Sequence, residues 1–548
     1  MKTIQHFSLI LLLSSLTSCY QPDTADLIVY NAKIYTCDSA FSIQDAMAIK
    51  DGKILQVGPE REILNGYDCD SDHIIDAELR AVYPGFYDAH CHFWAFANTF
   101  REVDMTGSKS FEEVISRVIT FNNENDPNWI TGRGWDQNIW TNKSFPNNDS
   151  LSKLFPDKPV LLRRIDGHAA IANQKALELA GISDTTTCYG GQLLKVNGEL
   201  TGVLIDNAVD LVRAKIPELK AEDKLKYLQK AEYKLFEQGL TSINDAGVDA
   251  NLRKDFIEWY TTGKLKINNY QMLFPDEENL EFATTNGKFD TLGLHIASFK
   301  LIADGALGSR GACLLAPYSD SADHFGTILK SPKRIKSLAN IAANIDFQLN
   351  THCIGDSANS LMLNIYKSVI GGKADHRWKI EHAQVLAPED FDFFEQYHII
   401  PSVQPTHCTS DMPWAADRIG AHRIDFAYAY NTLLDKAGLL ALGTDFPIEN
   451  ISTFETFYAA VTRKKKDYDA TTTYNASEKL SRKNALMAMT YWAAYSNFEE
   501  HERGSLEAGK NADFIILTKD IMTISEQDIL NTFVLKTYLN GVEVFSGR

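Results

Sequence analysis

His90 and His92 stand one residue apart in Pro84-Gly-Phe-Tyr-Asp-Ala-His90-Cys91-His92, a spacing that suits the start of a metal centre. Alternate residues of a strand project from the same face, so the two imidazoles point together while Cys91 turns to the opposite layer. Alone, His-x-His is a frequent chance pair. Three further residues change its weight. His352 ends the run Phe347-Gln-Leu-Asn-Thr-His, His382 ends Trp378-Lys-Ile-Glu-His, and Asp445 ends Leu439-Leu-Ala-Leu-Gly-Thr-Asp. Each run reads as a strand, and donors gathered at the C-terminal ends of separate strands are how barrel enzymes build their sites. Imidazole and carboxylate suit Zn²⁺ and its first-row neighbours, so a divalent metal, zinc foremost, is the expected cofactor.

Lys300 sits inside the apolar run Ala297-Ser-Phe-Lys-Leu-Ile-Ala303. Burial of an ammonium is costly and lowers its pKa. A neutral amine can take up CO₂ as a carbamate, a carboxylate able to bridge two ions; without it one ion is expected. The other reading is a lysine whose head reaches solvent or pairs with an acid such as Asp304.

These residues need a scaffold that brings separate strand ends together. Eight candidate strands are legible: Ala81–Asp88, Thr241–Asp245, Lys266–Leu273, Ala297–Ala303, Phe347–Thr351, Trp378–Glu381, Ile399–Gln404 and Leu439–Gly443. Helix-like stretches alternate with them, the pattern of an α/β, (β/α)8 TIM-like barrel. The gap after the first strand is too long for one crossover and predicts an inserted unit over about 95–238, inside a barrel domain of 81–503. Residues 26–80 and 504–548 both read as short strands with hairpin signals, Asp51-Gly52 and Asn540-Gly541, and predict a small β-sandwich domain built from both chain ends.

Net charge is 54 − 72 = −18, which excludes a nucleic-acid backbone as partner. The one dense basic run, Arg463-Lys464-Lys465-Lys466, reads as a solvated helix face. At the N-terminus Lys2 precedes the apolar stretch Phe7 to Leu13, too short to span a bilayer, and Leu16-Thr17-Ser18-Cys19 resembles a bacterial lipobox. The expectation is a signal peptide over 1–19, acylation at Cys19, and an exported lipoprotein touching the membrane only through that anchor. Tyr20 after Cys19 leans toward the outer membrane.

With these residues assembled, the sequence resembles the amidohydrolase superfamily, in its amidohydrolase 3 branch. The matches are Pro84-Gly-Phe-Tyr-Asp-Ala-His-Cys-His, Gly239-Leu-Thr-Ser-Ile-Asn-Asp-Ala-Gly, Phe299-Lys-Leu-Ile-Ala-Asp-Gly, Thr351-His, Glu381-His-Ala, Gly443-Thr-Asp-Phe-Pro and Gly504-Ser-Leu-Glu-Ala-Gly-Lys-Asn-Ala-Asp. Branch-specific pieces are Gly132-Arg-Gly-Trp-Asp, Asp166-Gly-His, Gln404-Pro-Thr-His and Asp304-Gly-Ala-Leu-Gly-Ser-Arg310. The resemblance implies that His90, His92 and Asp445 hold one metal, that His352 and His382 hold a second, and that Lys300 bridges them. It implies metal-bound water as nucleophile, Asp445 as general base and then acid, and a second metal or His407 polarising the carbonyl. Trp135, Asp136, His168 and Arg310 are the substrate-side candidates. The implied activity is hydrolysis of a non-peptide C–N bond in a small molecule. An ester or lactone substrate, or a lipid-anchored binding protein with a vestigial site, are the competing readings.

Overall fold

The computed structural model describes residues 23–547 apart from 166–168, 189–190, 218, 309, 374 and 467–472. Cys19, with the leader, and His168 lie outside the described residues. No helix of the described residues is long and apolar enough to cross a membrane.

Eight strands run parallel in one sheet: β1 Phe86–Cys91, β2 Leu240–Val248, β3 Asn268–Leu273, β4 Leu294–Ile302, β5 Gln348–Cys353, β6 Lys379–His382, β7 Ile400–Val403 and β8 Ala441–Leu442. This is the expected (β/α)8 barrel. Its seam closes just beyond β8, where the Asp445 amide donates to the His90 carbonyl at 2.7 Å and the His92 amide to the Phe446 carbonyl at 2.9 Å. Gly443 permits that approach, since a Cβ there would stand 2.5 Å from the His90 nitrogen. The Asp88 carboxylate reinforces it, accepting from the Thr444 amide (3.0 Å) and hydroxyl (2.7 Å). Closing the barrel therefore sets His90, His92 and Asp445 side by side.

Helices cover the outside for ordinary reasons. In Pro332–Asn344 the Ser331 hydroxyl accepts from the Arg334 amide as an N-cap, and Ile335, Leu338, Ala339 and Ala342 form one buried stripe. The run Ala81–Asp88 is two strands rather than one. Ala81–Pro84 pairs with Phe514–Leu517 from the far end of the chain and with Lys33–Tyr35, whereas Phe86 onward belongs to the barrel. The break falls at Gly85, where a Cβ would lie 2.2 Å from the Thr241 hydroxyl.

Two sheets draw on the chain ends. One orders Val542–Ser546, Val534–Leu539, Phe514–Leu517, Ala81–Pro84, Lys33–Tyr35 and Ile43–Gln44; the other orders Lys53–Gly58, Ala46–Lys50, Leu27–Tyr30 and Ile74–Asp76. The segment between β1 and β2 carries its own six-stranded sheet, with an apolar cluster around Trp135 and Ile130 and a second around Leu161 and Ala170. The foot of the barrel is plugged by the segment after helix Tyr491–Ser496. Asn497 there donates to the Tyr87 hydroxyl and the Asn244 side chain, both at 2.6 Å, and accepts from Lys379.

The basic run departs from the sequence reading at Arg463. That residue is fully buried at a helix C-terminus, and its guanidinium donates to the carbonyls of Tyr474 (2.6 Å) and Tyr428 (2.9 Å). Carbonyls thus satisfy Nε and Nη1, and the guanidinium lies 5.3 and 5.5 Å from the Tyr430 and Tyr474 rings, while Nη2 has no hydrogen-bond partner. Lys464 and Lys466 behave as surface cations, paired with Glu526 and Glu455.

Candidate metal centre

All the expected donors converge at the C-terminal mouth of the barrel. His90, His92 and Asp445 offer donor atoms within 4.8 Å of one another, and so do His382, His407 and Asp445. The two trios share Asp445. Its Oδ1 lies 3.1 Å from His92 Nε2 and 3.7 Å from His90 Nε2 yet accepts no well-aligned hydrogen bond from either, and its Oδ2 accepts from His407 Nε2 at 3.0 Å. The His352 ring stands 4.5 Å from that of His382, and its buried Nε2 has no hydrogen-bond partner. Buried donors left without partners while facing one another are what a cation satisfies.

The other ring nitrogens are fixed. His92 Nδ1 is bound to the Ala246 carbonyl at 2.7 Å, His382 Nδ1 to Gln404 Oε1 at 2.7 Å and His90 Nδ1 to Glu381 Oε2 at 2.6 Å. Donation through Nδ1 turns each Nε2 lone pair toward the centre, that of His90 meeting Lys300 Nζ at 2.9 Å. Two donors reach the centre through left-handed backbone: His382 has φ 73° and Asp445 φ 61°. Such conformations cost about 1–3 kcal/mol each and persist where the surroundings impose them.

Electrostatics match a metal site. Burial drives the His382 imidazole well below its ordinary range and His352 to about 3, and it also lowers His90, helped by the Lys300 charge. These rings are neutral and keep their lone pairs. Burial opposes ionisation of Asp445, but the imidazoles of His407, His92 and His90 hold its carboxyl well below the usual range. Burial would lower His407 too, yet Asp445, then Glu449 and Asp411, raise it to about 9. Lys300 is buried with Nζ 2.9 Å from His90 Nε2, and burial depresses its pKa. It neither escapes to solvent nor pairs with Asp304, whose carboxylate instead takes the amides of Cys313, Ile354 and Gly355.

Of the substrate-side candidates, the three described residues have partners of their own. Trp135 is fully buried in the inserted unit's own core, its indole donating to the Leu162 carbonyl at 2.8 Å, so it packs rather than faces a ligand. Asp136 is ion-paired with Arg164 in the same unit. Arg310 forms a two-pronged pair with Asp320, at 3.0 and 2.9 Å, and Asp320 also takes Arg418. That cluster ties the loop after β4 to the helix Ala415–Arg423.

Sequence reasoning missed Glu381, Gln404 and Asp245. Glu381 adjoins a ligand, and strict alternation would turn it away, but the left-handed turn at His382 lets both side chains serve the centre. Asp245, buried beside His92, accepts from the Phe93 amide at 2.9 Å and is raised by burial to about 6. The signal for both was a carboxylate inside an apolar strand.

The amidohydrolase family Amidohydro_3 matches residues 73–545 of the chain. The Arabidopsis thaliana protein LONG AFTER FAR-RED 3 is 33% identical over 540 residues, 95% of this chain and 92% of that protein. An N-substituted formamide deformylase of Arthrobacter pascens is 25% identical over 543 residues, 94% of this chain and 98% of its own. Among solved structures, an uncharacterized metal-dependent hydrolase from Pyrococcus horikoshii OT3 superimposes with a TM-score of 0.77 at 28% identity, covering 91% of this chain and 98% of that one.

Proposed function

The chain belongs to the amidohydrolase family and is a metal-dependent hydrolase of carbon–nitrogen bonds, and on that basis we propose that it cleaves a non-peptide amide, such as an N-formyl or N-acyl amine, with zinc as its divalent metal. The observation that carries this reading is the convergence of His90, His92 and His382 on the Asp445 carboxylate, with the His352 ring 4.5 Å from that of His382. His90, His92 and Asp445 would hold one ion, and His352 and His382 a second. A bound divalent ion supplies Lewis acidity, which acidifies water and polarises a carbonyl. Asp445, ionised and at the junction of both trios, is placed to take a proton from the attacking water and return it to the departing amine nitrogen. His407, protonated up to about pH 9 through its Asp445 hydrogen bond, is placed as a donor to the oxygen of the tetrahedral intermediate.

Lys300 fits a carbamate. Burial lowers its pKa and so raises the fraction present as neutral amine, the form that attacks CO₂ to form an N–C bond and release one proton. The carbamate would then add a carboxylate-type ligand to this centre. Intact-mass measurement under CO₂ reads that adduct, and metal analysis reads two ions with it and one without. Acylation at Cys19 belongs to the same proposal, as the chain's attachment to the cell envelope.

The decisive variant is His90→Ala/His92→Ala. We expect its thermal unfolding to remain cooperative, its metal content to fall, and turnover of N-formyl and N-acyl amines to disappear. Retained turnover after metal loss would sink the metal mechanism.

A further inference from the structure

The loop after β8 reaches the centre with two carboxylates. Asp445 opens it, and the Ile448 amide donates to the Asp445 carbonyl at 2.8 Å, a turn that folds the chain back and returns Glu449 to the same site. His407 stands between the two acids. Its Nε2 donates to Asp445 Oδ2 at 3.0 Å, and its Nδ1 lies 3.7 Å from Glu449 Oε1. Both side chains are largely covered, His407 at 16% and Glu449 at 20% exposure.

The helix Pro405–Asp411 presents the ring to that loop. Pro405 occupies its first turn and the His407 amide donates to the Gln404 carbonyl at 3.1 Å, so His407 rises from the segment whose Gln404 fixes His382. Asp411, one turn further on, also adds its charge to the ring, but its carboxylate is committed elsewhere. It accepts from the Tyr428 hydroxyl at 2.7 Å and from the Gln384 side chain at 3.3 Å. Glu449 carries no such commitment: among the described residues its one ion-pair partner is His407.

An imidazole acts through one nitrogen in the orientation that the partner of the other nitrogen imposes. When Nε2 turns from Asp445 to a substrate oxygen, Nδ1 is the polar anchor that stays behind. A carboxylate at 3.7 Å is at ion-pair range, and contacts of this kind shorten when the substrate complex forms. We propose that Glu449 is the positioning residue of His407: its carboxylate takes Nδ1–H and holds the ring so that Nε2–H turns from Asp445 to the oxygen of the scissile carbonyl. The proposal deepens the C–N hydrolase reading and rests on it for the identity of that carbonyl.

A double-mutant cycle on the zinc-loaded protein tests it, with N-formyl- and N-acetylphenethylamine as substrates. We expect Glu449→Ala to lower kcat by about ten- to a hundredfold with KM within about threefold, and Glu449→Gln, which keeps an acceptor in place, to recover most of the loss. In a His407→Ala background, Glu449→Ala should change kcat by less than about twofold, because the residue through which it acts is gone. Additive losses would show Glu449 acting by another route and overturn the proposal. NMR reads the same contact without turnover. A hydrogen-bonded, exchange-protected Nδ1–H of His407 should be present in the wild type, absent in Glu449→Ala and restored in Glu449→Gln, with zinc content unchanged. A ring proton that survives Glu449→Ala overturns the proposal. A wild type that cleaves neither amide counts against the C–N reading, and the ring proton then decides the role of Glu449 alone.

Discussion

At the residue scale, Glu381 shows how a metal site depends on groups that are not ligands. Its carboxylate takes Nδ1–H of His90 at 2.6 Å with both side chains fully buried, which fixes the tautomer and aims Nε2 at the shared donor set. Against the burial penalty, His90 itself, then Lys379 and Lys300, hold its carboxyl below the usual value. Glu381→Gln should therefore lower metal affinity by about ten- to a hundredfold, read by chelator competition, while the unfolding midpoint of the metal-free protein changes little by comparison. Unchanged affinity would mean that His90 is held by its backbone alone. The five candidate ligands were legible in the sequence because each ends an apolar run. Glu381 and Gln404 were not, since their roles depend on ring orientation across neighbouring strands, and spacing along one strand carries no such information. Arg310 and Trp135 mark the opposite failure: a motif names a residue, but only packing shows that its polar atoms are already committed.

At the element scale, all eight barrel strands were legible because each is a short apolar run between helix-like stretches, and their ends shifted by only a few residues. The division of Ala81–Asp88 was hidden because both halves are apolar; only the close approach of Gly85 to Thr241 separates them. The plug was equally invisible, being a coil segment whose partners come from distant strands. Its electrostatics make a prediction. Glu499 is buried and accepts from the Tyr87 hydroxyl at 2.7 Å; burial would raise its carboxyl, but Arg503, His295 and that hydrogen bond bring it down to about 2. A carboxyl depressed in the folded state stabilises fully above its unfolded value, near 4.5, and that stabilisation fades as pH falls toward 2. The window is worth roughly 3 kcal/mol at full strength. Denaturant unfolding should show stability dropping steeply between pH 4.5 and pH 3 in the wild type, and less steeply in Glu499→Gln. Parallel slopes would show that the plug's acid sensitivity lies elsewhere.

At the scale of the whole molecule, the two ends of the barrel face different tasks. The composite sheets lie under its N-terminal end, since Ala81–Pro84 leads directly into β1 and the Gly85 amide donates to the Asp513 carbonyl at 2.9 Å. The metal donors lie at the opposite, C-terminal end. The first described strand, Asp23–Thr24, pairs with Tyr67–Asp68 beside the four-stranded sheet. From Cys19 to Asp23 the chain can reach no more than about 14 Å even when fully extended. A lipid on Cys19 would thus tether the protein by its β-rich foot and leave the mouth turned toward solvent. Radiolabelled fatty acid should mark the wild type, and Cys19→Ala should appear unlabelled in the soluble fraction. If the chain is anchored in this way the mouth faces away from the bilayer, and kcat/KM for a water-soluble amide should agree within about twofold between the acylated protein in vesicles and the Cys19→Ala form, a difference below 1 kcal/mol. A marked loss on vesicles would mean that the membrane covers the mouth, and would reverse the orientation argued from the strand order.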